Sequence, residues 1–190
     1  MSTQSIPRLT VEEYLRIERA AEFRNEYIEG EVFAMSGGSK NHALIAMEAG
    51  ARLNEQLRGR PCAVAGSDLR LYCKPAQVLT YPDIVVFCEP ATFLDGDEDT
   101  LTDAVMIIEV LSRSTRNFDR GEKFHCYRGL PSFAEYVLLE QDSIRADHYT
   151  RQPDGSWLLR ELNGADTELV LGSIGCRLNL GSLYTRAKLK

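Results

Sequence analysis

Apolar and polar positions along this chain repeat with two different periods, and the changes of period mark its elements. In "LTVEEYLRIERA", Thr10 followed three residues later by Glu13 is a capping-box pattern, and Val11, Tyr14, Leu15 and Ile17 supply an apolar side, so a first helix is predicted. "NEYIEGEVFAMSGG" alternates around an acidic-Gly turn and predicts a β-hairpin, with Tyr27 or Ile28 on one strand and Val32 to Met35 on the other. In "KNHALIAMEAGARLNEQLRGR", Leu44 or Ile45, Met47 or Glu48, Ala51 and Leu57 fall near helical spacing; a second helix is expected there, stopped by "RGRP".

"CAVAGSDLRLYC" and "VLTYPDIVVFCEP" then predict two strands separated by the turn-like "KPAQ", and an acidic loop, "LDGDEDTLTD", leads into the apolar run "AVMIIEVL". Asp119 with Glu122 three residues on repeats the capping-box pattern, so "RGEKFHCYRGL" should be a short helix ended at Gly129 and Pro131. "EYVLLEQD", "IRADHYTRQ" and "SWLLREL" alternate around the turn "PDGS" and predict an antiparallel C-terminal extension of the sheet. The pattern is that of an α/β protein with a mixed β-sheet. No repeat, low-complexity tract or linker interrupts it, and residues 1–190 are expected to form one domain.

Composition changes this picture little. At 44% hydrophobic and 26% charged residues, disorder is not expected, and "MSTQSIPRL" has no leader character, so a cytoplasmic protein without membrane association is expected. The five cysteines are scattered without C-x-x-C pairing and are expected to be reduced core thiols rather than a disulfide framework or a zinc site. A net charge of -6 excludes a generally basic nucleic-acid footprint; the densest local candidate is Arg113, Arg116, Arg120, Lys123 and Arg128. No zinc finger, helix-turn-helix signature or basic arm is present to recognise base edges.

Two carboxylates call for an explanation. Glu109 lies inside a strand otherwise built for burial, and an unpaired buried carboxylate costs several kcal/mol, so it requires a cation. Asp83 stands at the mouth of another apolar strand, after a proline that cannot donate a ladder hydrogen bond. On neighbouring strands the two would face one another and could share a divalent ion. The alternatives are structural: Asp83 could cap a turn, and Glu109 could pair with a core arginine such as Arg70. His42 has an acid–base range suited to catalysis and also suits capping; Ser112, Ser114 and Thr115 suit loop capping or phosphate contact.

"NEYIEGEVFAMSGGSKNHALI", "YPDIVVFCEP" and "MIIEVLSRSTRNFDRGEKFHCYRGLPSFAEYVLLEQD", in that order, resemble the Uma-two family of restriction-endonuclease-like proteins within the PD-(D/E)XK nuclease superfamily. The resemblance runs from about Thr10 to the C-terminus and implies helices flanking a mixed sheet. It also implies a metal, Mg²⁺ with Mn²⁺ as substitute, held by Asp83, Glu109, the backbone carbonyl of Val110 and, directly or through water, Glu26. The superfamily lysine two residues after the second acid is replaced here by Leu111, and Lys123 in "DRGEKF" is the candidate replacement. His42, Ser112 and Asp119 are candidates to support these groups. The implied activity is hydrolysis of nucleic-acid phosphodiester bonds, in DNA first, by a homodimer. A nuclease fold retained for binding, with turnover lost at Leu111, is the competing expectation.

Overall fold

The structure, a computed structural model, describes residues 8–35, 37–113 and 115–189; Ser114 lies outside them. Among the described residues, thirteen β-strands and the helices between them are arranged as two large sheets and a ribbon.

The chain opens with α1 (Val11–Glu18), where the Thr10 and Glu13 capping box forms as predicted. β1 (Asn25–Ile28) and β2 (Glu31–Ala34) follow as a hairpin. Glu29 and Gly30 both take positive φ, 48° and 95°, as a two-residue turn matched to strand twist requires.

In α2 (Lys40–Leu57) the buried stripe is Ile45, Ala49, Leu53 and Leu57. This stripe keeps a strict four-residue spacing: Ile45 and Leu57 lie on it as expected, but its middle positions are Ala49 and Leu53 rather than Met47 or Glu48 and Ala51, and Met47 is 72% exposed. Burying each Leu or Ile of such a stripe contributes about 1.5–3 kcal/mol.

The next two predicted strands are each two. β3 (Cys62–Gly66) and β4 (Arg70–Cys73) are split by a turn closed from Leu69 N–H to the Gly66 carbonyl at 3.2 Å. β5 (Val78–Thr80) and β6 (Ile84–Cys88) are split at Tyr81-Pro82-Asp83, where proline has no N–H for a continuing ladder. The acidic loop contains the short β7 (Thr100–Leu101), parallel to β4. β8 (Met106–Leu111) is the Glu109 strand.

The helical segment 116–127, α3, consists of Arg116–Phe118, a π-helical turn over Asp119–Lys123, and Phe124–Tyr127. Asp119 is inside this helix with φ -63° and ψ -42°, so the expected cap at Asp119 does not form. β9 (Glu135–Glu140), β10 (Arg145–Arg151) and β11 (Trp157–Asn163) form the expected antiparallel extension. β12 (Glu168–Leu171) and β13 (Cys176–Asn179) form the ribbon.

The five-stranded sheet has the order β2-β1-β5-β4-β7 and the six-stranded sheet β11-β10-β9-β8-β6-β3. The latter is mixed: β8 and β9 run parallel, and the other pairs antiparallel. β10 is enclosed between β9 and β11.

Period-two alternation in β8 sends Met106, Ile108 and Val110 into the core beneath α2 and the ribbon. Ile107 and Leu111 go to the opposite core with Tyr127, Phe133 and Tyr136. Glu109 shares this second face. Cys62 and Cys88, directly opposite on β3 and β6, are joined by a disulfide, contrary to the expectation of five free thiols; Cys73, Cys126 and Cys176 are free and buried. The pairing is invisible along the chain because it depends on strands 26 residues apart coming into register. Among the described residues no helix is long and apolar enough to cross a membrane.

Candidate active site

β6 and β8 are antiparallel neighbours with Ile84 opposite Ile108, so the next step outward brings Asp83 to Glu109. The two carboxylates are tied reciprocally. Asp83 N–H donates to Glu109 Oε2 at 3.0 Å, and Val110 N–H donates to Asp83 Oδ2 at 2.8 Å. Pro82 stops the ladder just before this point, which leaves the Asp83 N–H for a side chain.

The cation that Glu109 requires comes from α3. Lys123 Nζ lies 3.2 Å from Glu109 Oε1, 3.2 Å from Glu26 Oε1 on β1 and 3.5 Å from Asp119 Oδ1. Arg70, the structural alternative, is instead paired with Asp99 and donates to the Thr100 hydroxyl at 3.1 Å. Tyr127 completes the cluster, its hydroxyl donating to Glu109 Oε1 at 2.8 Å. Asp119, Lys123 and Tyr127 recur every four residues and so lie on one helix face. That spacing was the available signal for Tyr127, which the sequence reading missed. Thr80 at the end of β5 donates its hydroxyl to Glu26 and links the five-stranded sheet to the same cluster.

Four carboxylates, Glu26, Asp83, Glu109 and Asp119, thus gather around one ammonium. Burial raises the Glu109 carboxyl above its ordinary range; Lys123 opposes this, and Asp83 and Asp119 add to it. Asp119 is raised by burial in the same way, against Lys123. Burial pushes Lys123 down, but Glu109, Glu26 and Asp119 outweigh it and hold the ammonium above its ordinary value.

His42 in the first turn of α2 lies with Nε2 3.0 Å from Asp83 Oδ2, and this hydrogen bond raises its pKa against its burial. The ring is held close: a Cβ at Gly38 would stand 2.6 Å from His42 Nδ1. Ser112 closes the loop after β8 through the Thr115 N–H, 3.1 Å away, and hydroxyl, 2.9 Å away. An open cleft of about 810 Å³ runs along α2 and β3, and Asp83 and His42 line it. A second cavity of about 500 Å³ reaches Glu26 from the β1–β2 hairpin.

The basic residues after Glu109 do not form one open phosphate patch. Arg116 and Arg120 pair with Glu140 at 3.2 and 2.9 Å, and Arg120 also with Asp147 at 2.9 Å. Arg113 lies 3.6 Å from Asp142, and Lys123 is buried.

Among the described residues, no three His, Cys, Asp or Glu side chains form a ready ligand group for a metal. An all-protein cage is therefore not what these residues fit. The donors at Asp83 and Glu109 are hard oxygens in a cluster with excess negative charge. That chemistry fits a small divalent cation held by two carboxylates, with water and phosphate supplying the other positions, the usual manner of Mg²⁺.

The family model described as "Putative restriction endonuclease", Uma2, matches residues 11–180. The chain belongs to the Uma2 family. Among relatives of this Uma2 protein, the "Uncharacterized protein slr1290" of Synechocystis is 35% identical over 178 residues, covering 94% of this chain and 92% of the relative. The "Uncharacterized protein sll1609" of the same organism is 35% identical over 161 residues, covering 85% of this chain and 91% of the relative. The fold is that of a solved "putative nuclease belonging to DUF820" from Anabaena variabilis, with a TM-score of 0.74 at 19% identity over 93% of this chain and 98% of that one.

Proposed function

We propose that this Uma2 protein is a metal-dependent phosphodiesterase of the endonuclease type, acting on nucleic acid and on DNA in the first instance. The observation that carries the reading is the cross-bonded pair of Asp83 and Glu109 on adjacent strands, with a lysine reaching Glu109 from the next helix. In this reading Asp83 and Glu109 hold Mg²⁺, with Mn²⁺ able to replace it. The Val110 carbonyl and Glu26 are further oxygen donors, Glu26 directly or through water. The bound ion supplies an activated water and neutralises a phosphate oxygen. Lys123 keeps a positive charge beside the carboxylates and stabilises negative charge on the phosphate. It does so from α3 because Leu111, at the usual lysine position, is fully buried in the core. His42 and Asp119 are positioning residues, for Asp83 and Lys123 respectively. The cleft beside Asp83 admits the strand to be cut.

Cleavage of both strands of a duplex requires two sites, and a homodimer is the economical arrangement. The burial of Glu109 and Lys123 favours a second reading, in which the cluster is a structural ion network in a nuclease-fold binding protein. Calorimetric titration with Mn²⁺ separates the two. Binding by the wild type that disappears in Asp83→Ala and in Glu109→Gln, with Mg²⁺-dependent nicking of plasmid DNA lost in the same variants, is the result expected. A folded wild type that binds no Mn²⁺ would leave the second reading in place. Sedimentation of the wild type as a monomer at micromolar concentration would remove the dimer.

A further inference from the structure

A basic pocket of about 400 Å³ lies where the C-terminal end of α3 meets the β10–β11 turn. His125, Arg128 and Arg151 line it together with Pro75 and Trp157, and none of its lining residues is acidic. In a chain of net charge -6 that concentration of positive charge is out of proportion. His125 and Arg128 leave α3 on the side away from Lys123, so the pocket is separate from the carboxylate cluster.

Its parts are locked together. Arg128 Nη2 meets His125 Nδ1 at 3.1 Å, and its guanidinium lies 5.0 Å from the Phe124 ring centre. Phe124 in turn packs edge-on against Trp157, centres 5.2 Å apart. Arg151 crosses from β10 and donates to the Pro131 carbonyl at 3.3 Å. The end of α3 does not need these cations for its own carbonyls: those of Cys126 and Tyr127 already accept from Gly129 and Leu130 N–H. Arg128 and Arg151 retain further N–H donors, the half-buried indole of Trp157 offers an aromatic surface, and Pro75 forms the apolar wall.

We infer that this pocket binds a mononucleotide, its phosphate held by Arg128, Arg151 and His125 and its base packed against Trp157 and Pro75. Guanidinium groups match phosphate in charge and donor geometry, base packing on an aromatic ring tolerates any base, and the volume falls in the range of small-molecule sites. The inference is independent of the carboxylate cluster and of any metal.

Trp157 is the single tryptophan, so fluorescence excited at the red edge of the protein band, where tyrosine does not absorb, reports on this pocket. Full-length protein in EDTA is titrated with adenosine 5′-monophosphate, adenosine and inorganic phosphate. The expected result is a saturable change with the monophosphate, at least tenfold tighter than with either fragment. That binding is weakened at least tenfold in the Arg128→Gln/Arg151→Gln double variant, both positions being exposed, and is unchanged in Asp83→Asn. The inference is overturned by the absence of a saturable change in wild type, by a change that survives the double substitution in protein of native circular dichroism, or by inorganic phosphate binding as tightly as the monophosphate. EDTA keeps the outcome distinct from a failure of the metal-dependent reading, which the Mn²⁺ titration tests.

Discussion

Lys123 is the residue on which the carboxylate cluster balances. Replacing it with methionine leaves Glu26, Glu109 and Asp119 facing one another without a counter-ion. A loss of about 3–5 kcal/mol in urea unfolding is expected, the usual effect of removing one partner of a buried pair. Adding Glu109→Gln to Lys123→Met should recover part of that loss, because the two groups interact directly. Tyr127→Phe is a smaller change: one hydroxyl donor to Glu109 is lost in a fully buried setting, and about 1–3 kcal/mol should disappear in the same assay. At this scale Glu109 was legible from sequence, because a charge in a run of β-branched residues demands a partner. Its partner was less so. Lys123 came forward through the family resemblance, while Arg70 was an equally reasonable core cation until the fold turned it toward Asp99. Tyr127 carried no signal except its four-residue offset from Lys123.

Among the elements, α1 is fastened to the five-stranded sheet through Asp99, which Arg19 on one side and Arg70 on the other both engage. Hydrogen bonding from Arg19, and then from Thr100 and Arg70, holds the Asp99 carboxyl well below the ordinary carboxylate range despite partial burial. A depressed pKa means that the folded state binds its proton less readily than the unfolded chain. The stabilisation is therefore present above the ordinary carboxylate pKa and is lost as pH falls through and below it. The melting-temperature gap between wild type and Asp99→Asn should be widest near neutrality and should close toward pH 2; a gap independent of pH would contradict this. On α2, Leu53→Ala should cost about 2–5 kcal/mol, since this side chain is completely buried under the six-stranded sheet.

Element types were readable because period and capping are local, as the Thr10 box and the alternation of β8 illustrate. Element boundaries were not, where tertiary contacts decide them. The ends of the α2 stripe, Ile45 and Leu57, were legible, but its middle was not, because Ala and Leu occur on several faces of the helix and only packing selects Ala49 and Leu53. Asp119 had the spacing of a cap, but the chain was already helical from Arg116, and its carboxylate was drawn to Lys123.

For the molecule as a whole, the Cys62–Cys88 bond makes a simple count. The denatured, unreduced chain should expose three titratable thiols and the reduced chain five; five before reduction would show that the pair is not formed. Opening a loop of this length should lower stability by about 3–4 kcal/mol. The mixed sheet and its antiparallel extension were legible in the sequence, but the division into two sheets was not, because two stretches that read as single strands each change sheet in the middle.

That division bears on how the cluster is assembled. Tyr81-Pro82-Asp83 is the crossing from β5 in one sheet to β6 in the other, and Thr80 on the near side holds Glu26 while Asp83 on the far side meets Glu109. The six-stranded sheet alone carries Asp83 and Glu109, the five-stranded sheet adds Glu26, and α3 adds Asp119 and Lys123. The full set of carboxylates around Lys123 is therefore a property of the completed fold, present only where both sheets and α3 have come together.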